Sequence, residues 1–156
     1  RRGLSFVTRK ITSAVADIAA KKINNFSVGN LNAKRDWGYA KDYVEPMWLM
    51  LQQKKPDDYV ISSGKQYTVR QFISKAFKYI NIDIAWKGDG KNELGINKKN
   101  NQILVKVDPY YYRPNEVEDL LGDSNKAKRK LNWKSKTNID TLIKLMIKHD
   151  LKLRGL

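Results

Sequence analysis

Two stretches of this chain carry apolar residues at three- and four-residue steps, and this helical spacing constrains the fold more than any other feature. Residues 4–22 hold the first stripe and residues 139–151 the second, with Asn138 before the latter as a typical N-cap. A further helix is predicted over residues 40–53, where Pro46 indicates a kink or a delayed start. Amphipathic helices therefore frame both ends of the chain.

Short apolar and β-branched runs alternate with these helices. Thr68 and Gln71 form a capping-box pattern that opens a helix to about Ile80, and Ser124 precedes a short one ending at Leu131. Strands are predicted at residues 26–30, 59–62, 82–86 and 103–107, with a loop at 30–35 and an exposed hairpin or loop at 87–102. The alternation predicts a mixed α/β fold, and 156 residues suit one domain or a piece of a larger protein.

Charge is the most unusual feature of the composition. Lys and Arg number 31 against 16 Asp and Glu, a formal charge of +15 that favours anionic partners. The absence of Cys excludes disulfides and thiol nucleophiles, and no apolar run approaches a membrane span. The chain opens with Arg1-Arg2-Gly3 and no Met, as we expect of an excised fragment.

Two arginines in unusual surroundings are candidates for binding a phosphorylated ligand. Arg35 lies in an Arg-Asp-Trp loop, and Arg113 follows three tyrosines and precedes Pro114. Each guanidinium offers a planar fork of donors suited to bidentate phosphate contact, so two of them could clamp a diphosphate. The alternative is local pairing, of Arg35 with Asp36 or Asp42 and of Arg113 with Glu116.

Other motifs are less informative. Gly88-Asp89-Gly90 resembles a dinucleotide fingerprint but lacks the third glycine and favours a plain turn. His149 is the only histidine, so catalytic triads and multi-histidine metal sites are excluded and a surface or partly buried position is expected. Six basic residues between Lys126 and Lys136 keep open a nucleic-acid-binding module, and an assembly module without a ligand is a third reading.

The ordered set of motifs resembles the C-terminal part of the GDP-mannose 4,6-dehydratase family, within the extended short-chain dehydrogenases/reductases. The segments that carry the resemblance are residues 1–3, 6–11, 29–31, 33–38, 40–44, 47–52, 111–114, 116–117, 122–123, 126–128 and 131–134. The resemblance implies that residues 1–156 form a nucleotide-sugar-binding C-terminal lobe without its Rossmann half. An apolar surface is then expected where that half docks.

The resemblance also implies an activity and its site. Such enzymes are NADP-dependent and convert GDP-mannose to GDP-4-keto-6-deoxymannose and water. The catalytic residues and the glycine-rich NADP loop belong to the N-terminal Rossmann half, so this fragment alone is expected to be inactive. A cytoplasmic location and a homo-oligomer are expected, with neither membrane nor nucleic acid as a partner. The residues carried over are Arg2 for NADP, and Val7, Lys10, Arg35, Arg113 and Glu116 for GDP-mannose.

The chain departs from the family pattern at a few positions. Pro46 stands where Ala is usual, Tyr39 where His is usual and Asn115 where Thr is usual, and these changes leave the predicted clamp in place. Ile96-Asn97 replaces a usual Gly-Arg, which leaves the role of residues 91–101 open.

Overall fold

A computed structural model of the chain describes residues 3–112, 117 and 119–156. These residues form an α/β fold, as predicted. The helices are α1 (Val7–Ala19), α2 (Ala40–Leu51), α3 (Val69–Tyr79), α4 (Asn125–Leu131) and α5 (Ile139–Lys152). The strands are β1 (Phe26–Val28), β2 (Lys34–Arg35), β3 (Tyr67–Thr68), β4 (Ile84–Lys87), β5 (Leu94–Asn97), β6 (Ile103–Val107) and β7 (Asp119–Leu120). Short 3-10 turns cover Gly90–Asn92 and Pro109–Tyr111.

The strands form two sheets. The larger has the order β1-β6-β5-β4, in which β1 and β6 are parallel and the other pairs antiparallel. The smaller has the order β3-β2-β7, with β2 antiparallel to β3 and parallel to β7. The parallel pairs join segments far apart in sequence, so the fold depends on contacts between the first and last thirds of the chain.

The main core lies where α1, α3 and α5 pack together beside the larger sheet. Phe72 and Phe77 of α3 and Leu104 of β6 are fully buried there, and Phe77 stacks on Phe26 with ring centroids 6.3 Å apart. The capping box of α3 is present, since Gln71 N–H donates to the Thr68 hydroxyl and Thr68 N–H donates to the Gln71 side chain. The two apolar stripes that the sequence shows, on α1 and α5, therefore meet α3 in one core.

A second core joins α2 to α4. It is built on Ala127, Leu131 and the buried Trp133, with five partly buried residues packed against them: Tyr43, Leu49, Met50, Tyr59 and Ile61. The helix α2 begins at Ala40 although Pro46 lies inside it, so its start is not delayed.

Pro46 removes the N–H that would pair with the carbonyl oxygen of Asp42 four residues earlier. The Trp133 indole N–H donates to that oxygen instead, at 3.0 Å. The tertiary contact thus supplies the hydrogen bond that the helix lacks at Pro46.

One strand prediction and one loop prediction were wrong. Residues 59–62 form no strand with any other segment of the described chain, while the predicted loop at 30–35 ends in the paired β2. The two-residue strands β2, β3 and β7 carry too little sequence pattern to be recognised.

None of the helices in the described part of the chain is long and apolar enough to cross a bilayer.

Candidate functional site

Lys10 is a partly buried cation on the first turns of α1. Its ammonium nitrogen lies 3.3 Å from the centroid of the Tyr111 ring, in cation–π geometry. Burial lowers the pKa of Lys10, and the nearby Asp108 carboxylate opposes that shift. Val7, one turn earlier on the helix, is half-buried and packs against the main core. This end of α1 therefore presents one cation beside an aromatic face.

Gly29 allows Tyr111 to reach that position. A Cβ at residue 29 would stand 2.2 Å from the Tyr111 carbonyl oxygen, so the 3-10 turn packs directly against the end of β1. Asp108 fixes the start of the turn, since its N–H donates to the Val28 carbonyl and its carboxylate accepts from the Tyr110 N–H. Sequence reasoning did not assign roles to Gly29, Asp108 or Tyr111, and the run of three tyrosines was the only signal.

Arg35 lies in β2, between β3 and β7. Its Nη1 donates to the carbonyl oxygens of Lys34 and Val117, each at 2.7 Å. The parallel pairing of β2 with β7 sets Arg35 opposite Leu120, so the region after residue 116 runs beside this arginine. Arg35 thereby contacts a residue 82 positions further along the chain.

The two carboxylates offered as local partners for Arg35 are held by other groups. Asp36 accepts from the N–H and hydroxyl of Ser63 and from the Gly64 N–H. Asp42 accepts from the backbone N–H groups of Lys136 and Thr137. The local-pair alternative thus loses its support at Arg35.

Arg2, Arg113 and Glu116 lie outside the described residues. The residues that flank 113–116 are described on both sides. Tyr112 lies with its ring centroid 5.7 Å from the Lys91 ammonium, and Val117 accepts from Arg35. Both flanks of this segment therefore meet cationic side chains.

The remaining motifs take structural positions. Gly88-Asp89-Gly90 leads through a 3-10 turn into β5, as the turn reading predicts. Lys126 pairs with Asp57 and Lys136 with Glu45, so part of the basic cluster forms ion pairs. His149 is exposed on α5, as expected. Within the ranges that the structure describes, no group of three potential metal ligands comes together.

Comparison with known proteins extends the resemblance. A family model described as GDP-mannose 4,6 dehydratase matches residues 1–146. The chain belongs to this dehydratase family. The GDP-mannose 4,6 dehydratase of Dictyostelium discoideum is 52% identical over 152 residues, which are 97% of this chain and 43% of the relative. The human dehydratase is 51% identical over 153 residues, or 98% of this chain and 41% of the relative. The chain spans about two fifths of the length of these dehydratases.

Solved structures show the same fold at low identity. RMD from Pseudomonas aeruginosa, complexed with NADPH, aligns with a TM-score of 0.76 and 15% identity, covering 97% of this chain and 44% of that one. The dTDP-glucose 4,6-dehydratase of Bacillus anthracis, in complex with NAD, aligns with a TM-score of 0.68 and 12% identity, covering 93% and 40%. The α/β fold of this chain therefore resembles part of these two larger proteins. These comparisons give no support to the nucleic-acid alternative.

Proposed function

We propose that this chain is the GDP-mannose-binding lobe of an NADP-dependent GDP-mannose 4,6-dehydratase. The intact enzyme converts GDP-mannose to GDP-4-keto-6-deoxymannose and water. Residues 1–156 bind and orient the nucleotide sugar, and an N-terminal Rossmann half supplies the catalytic residues. Two relatives that are 52% and 51% identical to this chain are named for that activity. Each is more than twice as long as the segment that matches.

The observation that carries the proposal is the hydrogen bond from Arg35 Nη1 to the Val117 carbonyl oxygen. It holds Arg35 beside one flank of residues 113–116, while Tyr111 at the other flank lies against Lys10. Consecutive Cα atoms are ~3.8 Å apart, so the Cα atoms of Val117 and Arg113, four residues apart, are separated by at most ~15 Å. Covalent connectivity thus supports a common phosphate site for Arg35 and Arg113.

The chemistry of these groups suits a nucleoside diphosphate. Two guanidinium forks can each bind a phosphate through paired charge-assisted hydrogen bonds, and their charges offset those of the diphosphate. We assign Glu116 to the ribose hydroxyls, because a carboxylate accepts from a diol. Val7 and Lys10 line the same pocket from α1, the first by apolar contact and the second by its ammonium.

NADP supplies the hydride acceptor and donor that the reaction needs. The Gly88-Asp89-Gly90 turn does not fit its pyrophosphate, because it leads into a 3-10 turn and a strand and offers no α-helix N-terminus. We therefore assign NADP mainly to the Rossmann half, with Arg2 as a contact from this chain. The isolated chain is expected to bind GDP without turnover. We further propose that the intact enzyme is a cytoplasmic homo-oligomer.

Titration with GDP, followed by the fluorescence of the four tryptophans, tests the phosphate site. Removing either guanidinium deletes charge-assisted hydrogen bonds, so Arg35→Ala and Arg113→Ala should each cost ~1.5–3 kcal/mol, or about 10- to 150-fold in affinity. Arg35→Lys keeps the charge but loses the fork, and should bind with intermediate affinity.

Arg129→Ala is the matched control, because Arg129 is exposed on α4 and has no assigned role. Its GDP affinity should equal that of the unmodified chain. Equal affinities in all four variants, or no GDP binding at all, would contradict the proposal. Binding of DNA or RNA that weakens steeply with salt and ignores Arg113→Ala would instead support the nucleic-acid reading.

A further inference from the structure

Arg70, in the first turn of α3, joins two loops that are distant in sequence. Its Nε and Nη2 donate to the two carboxylate oxygens of Glu93, at 2.8 and 2.7 Å, and its Nη1 donates to the Asn32 side-chain oxygen at 2.7 Å. Glu93 is 5% exposed, and the Trp86 ring centroid lies 5.8 Å from the guanidinium carbon. A guanidinium suits this position, because its planar fork can bind one carboxylate and a further acceptor together.

The first of these loops, residues 30–33, leads directly into β2. The Arg70 backbone N–H donates to the Leu31 carbonyl oxygen at 3.0 Å, while the Arg70 side chain binds Asn32. Leu31 is also buried in the main core. Arg35 follows three residues after Asn32, so the position of its backbone depends on how this loop is held.

The second loop contains the 3-10 turn Gly90–Asn92, which Glu93 follows directly. Within this turn, the Lys91 ammonium lies 5.7 Å from the centroid of the Tyr112 ring. Tyr112 belongs to the segment after β6 whose preceding residue contacts Lys10. The ion pair between Arg70 and Glu93 therefore fixes a turn that contacts the candidate site from the side opposite β2 in sequence.

Another cation of α3 forms a pair of a different kind. Lys75 binds the exposed carboxylate of Asp140 at 2.7 Å, and this pair joins α3 to α5, which already pack together in the main core. Arg70 instead joins two loops to each other, and its carboxylate partner is buried. What Arg70 connects favours a role in the candidate site over a role in the core alone.

We propose that Arg70 is a positioning residue for the candidate nucleotide site. By binding Asn32 and Glu93 at once, it fixes the two loops relative to each other. One loop carries Arg35 and the other contacts Tyr112. A nucleotide then meets groups that are already in place, so less binding free energy is lost in ordering them. This inference rests on the proposed function, because it concerns how the same GDP site is held.

The sharpest test removes the contact between Arg70 and Asn32 and leaves the buried ion pair intact. Asn32 is exposed, so Asn32→Ala should melt near the parent temperature. Its GDP affinity, measured by tryptophan fluorescence, should fall about 3- to 10-fold, because Arg35 is less firmly placed. Asn32→Asp keeps an acceptor for Arg70 and should retain the parent affinity within about threefold.

A double-mutant cycle distinguishes positioning from a general loss of structure. In an Arg35→Ala background the first loop carries no guanidinium to place, so Asn32→Ala should cost no further GDP affinity. Asn138→Ala is the matched control. Asn138 is also exposed and its side-chain oxygen also accepts a hydrogen bond, but as the N-cap of α5. This variant should lower the melting temperature and leave the GDP affinity unchanged.

Arg70→Lys tests both loops together. An ammonium keeps the charge but cannot bind Glu93 through a fork and reach Asn32 as well. GDP affinity should fall further than in Asn32→Ala. Part of that loss should persist in the Arg35→Ala background, because the second loop acts through Tyr112. Should this variant fail to fold, the cycle with Asn32→Ala still decides the proposal.

The outcomes separate this inference from the proposed function. Unchanged GDP affinity in Asn32→Ala, or an equal loss with and without Arg35, would overturn the positioning role alone, provided that Arg35→Ala weakens GDP binding. Absence of GDP binding by the parent chain, or an affinity that Arg35→Ala leaves unchanged, would contradict the proposed function and this inference with it.

Discussion

The main core and the second core of this chain differ in how completely they are covered. In the main core, α1, α3 and α5 enclose fully buried residues such as Phe72 and Phe77, and β6 is paired on both sides. In the second core, α2 buries one apolar face and exposes another, and residues 59–62 pack beside it without a strand partner in the described chain. The first region is covered on all sides by its own helices and strands, whereas the second leaves apolar side chains of α2 exposed.

This difference shows how stability and function divide in the chain. Lys10 lies on α1 and Tyr111 in the 3-10 turn after β6, and the two side chains contact each other. Elements of the main core therefore position this part of the candidate ligand site. Arg35 lies in the small sheet that connects this region to α2. The covered region can therefore hold the candidate ligand groups rigidly, whereas α2 keeps apolar surface exposed.

Truncation of Phe77 should have the largest effect on stability. Phe77 is fully buried in the main core, so Phe77→Ala should lower the free energy of unfolding by ~3–5 kcal/mol. Leu51→Ala, on the outer face of α2, should change it by less than ~0.5 kcal/mol, because Leu51 is 82% exposed. Urea unfolding of the two variants gives the comparison. Similar losses would show that α2 is covered in solution.

Trp133→Phe should have an intermediate effect. It removes the indole N–H that donates to the Asp42 carbonyl beside Pro46, and an unsatisfied buried acceptor costs ~1–3 kcal/mol. In a Pro46→Ala background the new backbone N–H can donate to that carbonyl, so the same substitution should cost less. A double-mutant cycle by urea unfolding measures the coupling. Equal costs in the two backgrounds would show that Trp133 does not compensate for the proline.

Lowering the pH should reduce the free energy of unfolding through one carboxylate in each region, Asp17 in the first and Asp42 in the second. Hydrogen bonds from Arg154 lower the pKa of Asp17 against the opposing effect of burial. Burial raises the pKa of Asp42, but hydrogen bonds from residues 135–137 outweigh it and leave the pKa below its ordinary value.

Because both pKa values are depressed in the folded state, the stabilisation is present above the unfolded value of ~3.9 and is lost as pH falls through the folded values. Asp17→Asn and Asp42→Asn should each flatten the fall in unfolding free energy below about pH 4, measured by urea titration at several pH values. An unchanged acid slope in either variant would exclude that carboxylate as a source.

Exposed ion pairs should contribute least in both regions. Lys75 pairs with Asp140 beside the main core and Lys136 with Glu45 beside the second, in each case at 2.7 Å with the carboxylate well exposed. Asp140→Asn and Glu45→Gln should therefore each cost only ~0.2–1 kcal/mol in thermal or urea unfolding, less at high salt. A loss of several kcal/mol at Glu45 would indicate that the second core depends on its surface charges.

The long periodic elements were predictable from the sequence because their information is local. The stripes of α1 and α5, the capping box of α3 and the apolar run of β6 each specify an element within a dozen residues. The short strands β2, β3 and β7 were not predictable, since two residues carry no period and their pairing depends on partners up to 85 positions away.

The candidate site divides in the same way. The residue types at Arg35 and Arg113 indicated an anionic ligand, and the ordered motifs indicated the dehydratase family and, through it, a role for Lys10. The contacts around the site residues could not be predicted from the sequence. Tyr111 reaches Lys10 because Gly29 has no side chain in its way, and the Asp36 carboxylate accepts hydrogen bonds from Ser63 and Gly64.

The sequence by itself determined the α/β class, the helix boundaries to within a few residues and the family, all of which depend on local pattern and residue type. Only the tertiary structure decided that Trp133 supplies the hydrogen bond missing at Pro46, that Arg35 binds the Val117 carbonyl, and that residues 59–62 lack a strand partner in the described chain. Hydrogen bonds and apolar contacts between distant segments form when the whole chain packs, so no local stretch of sequence specifies them.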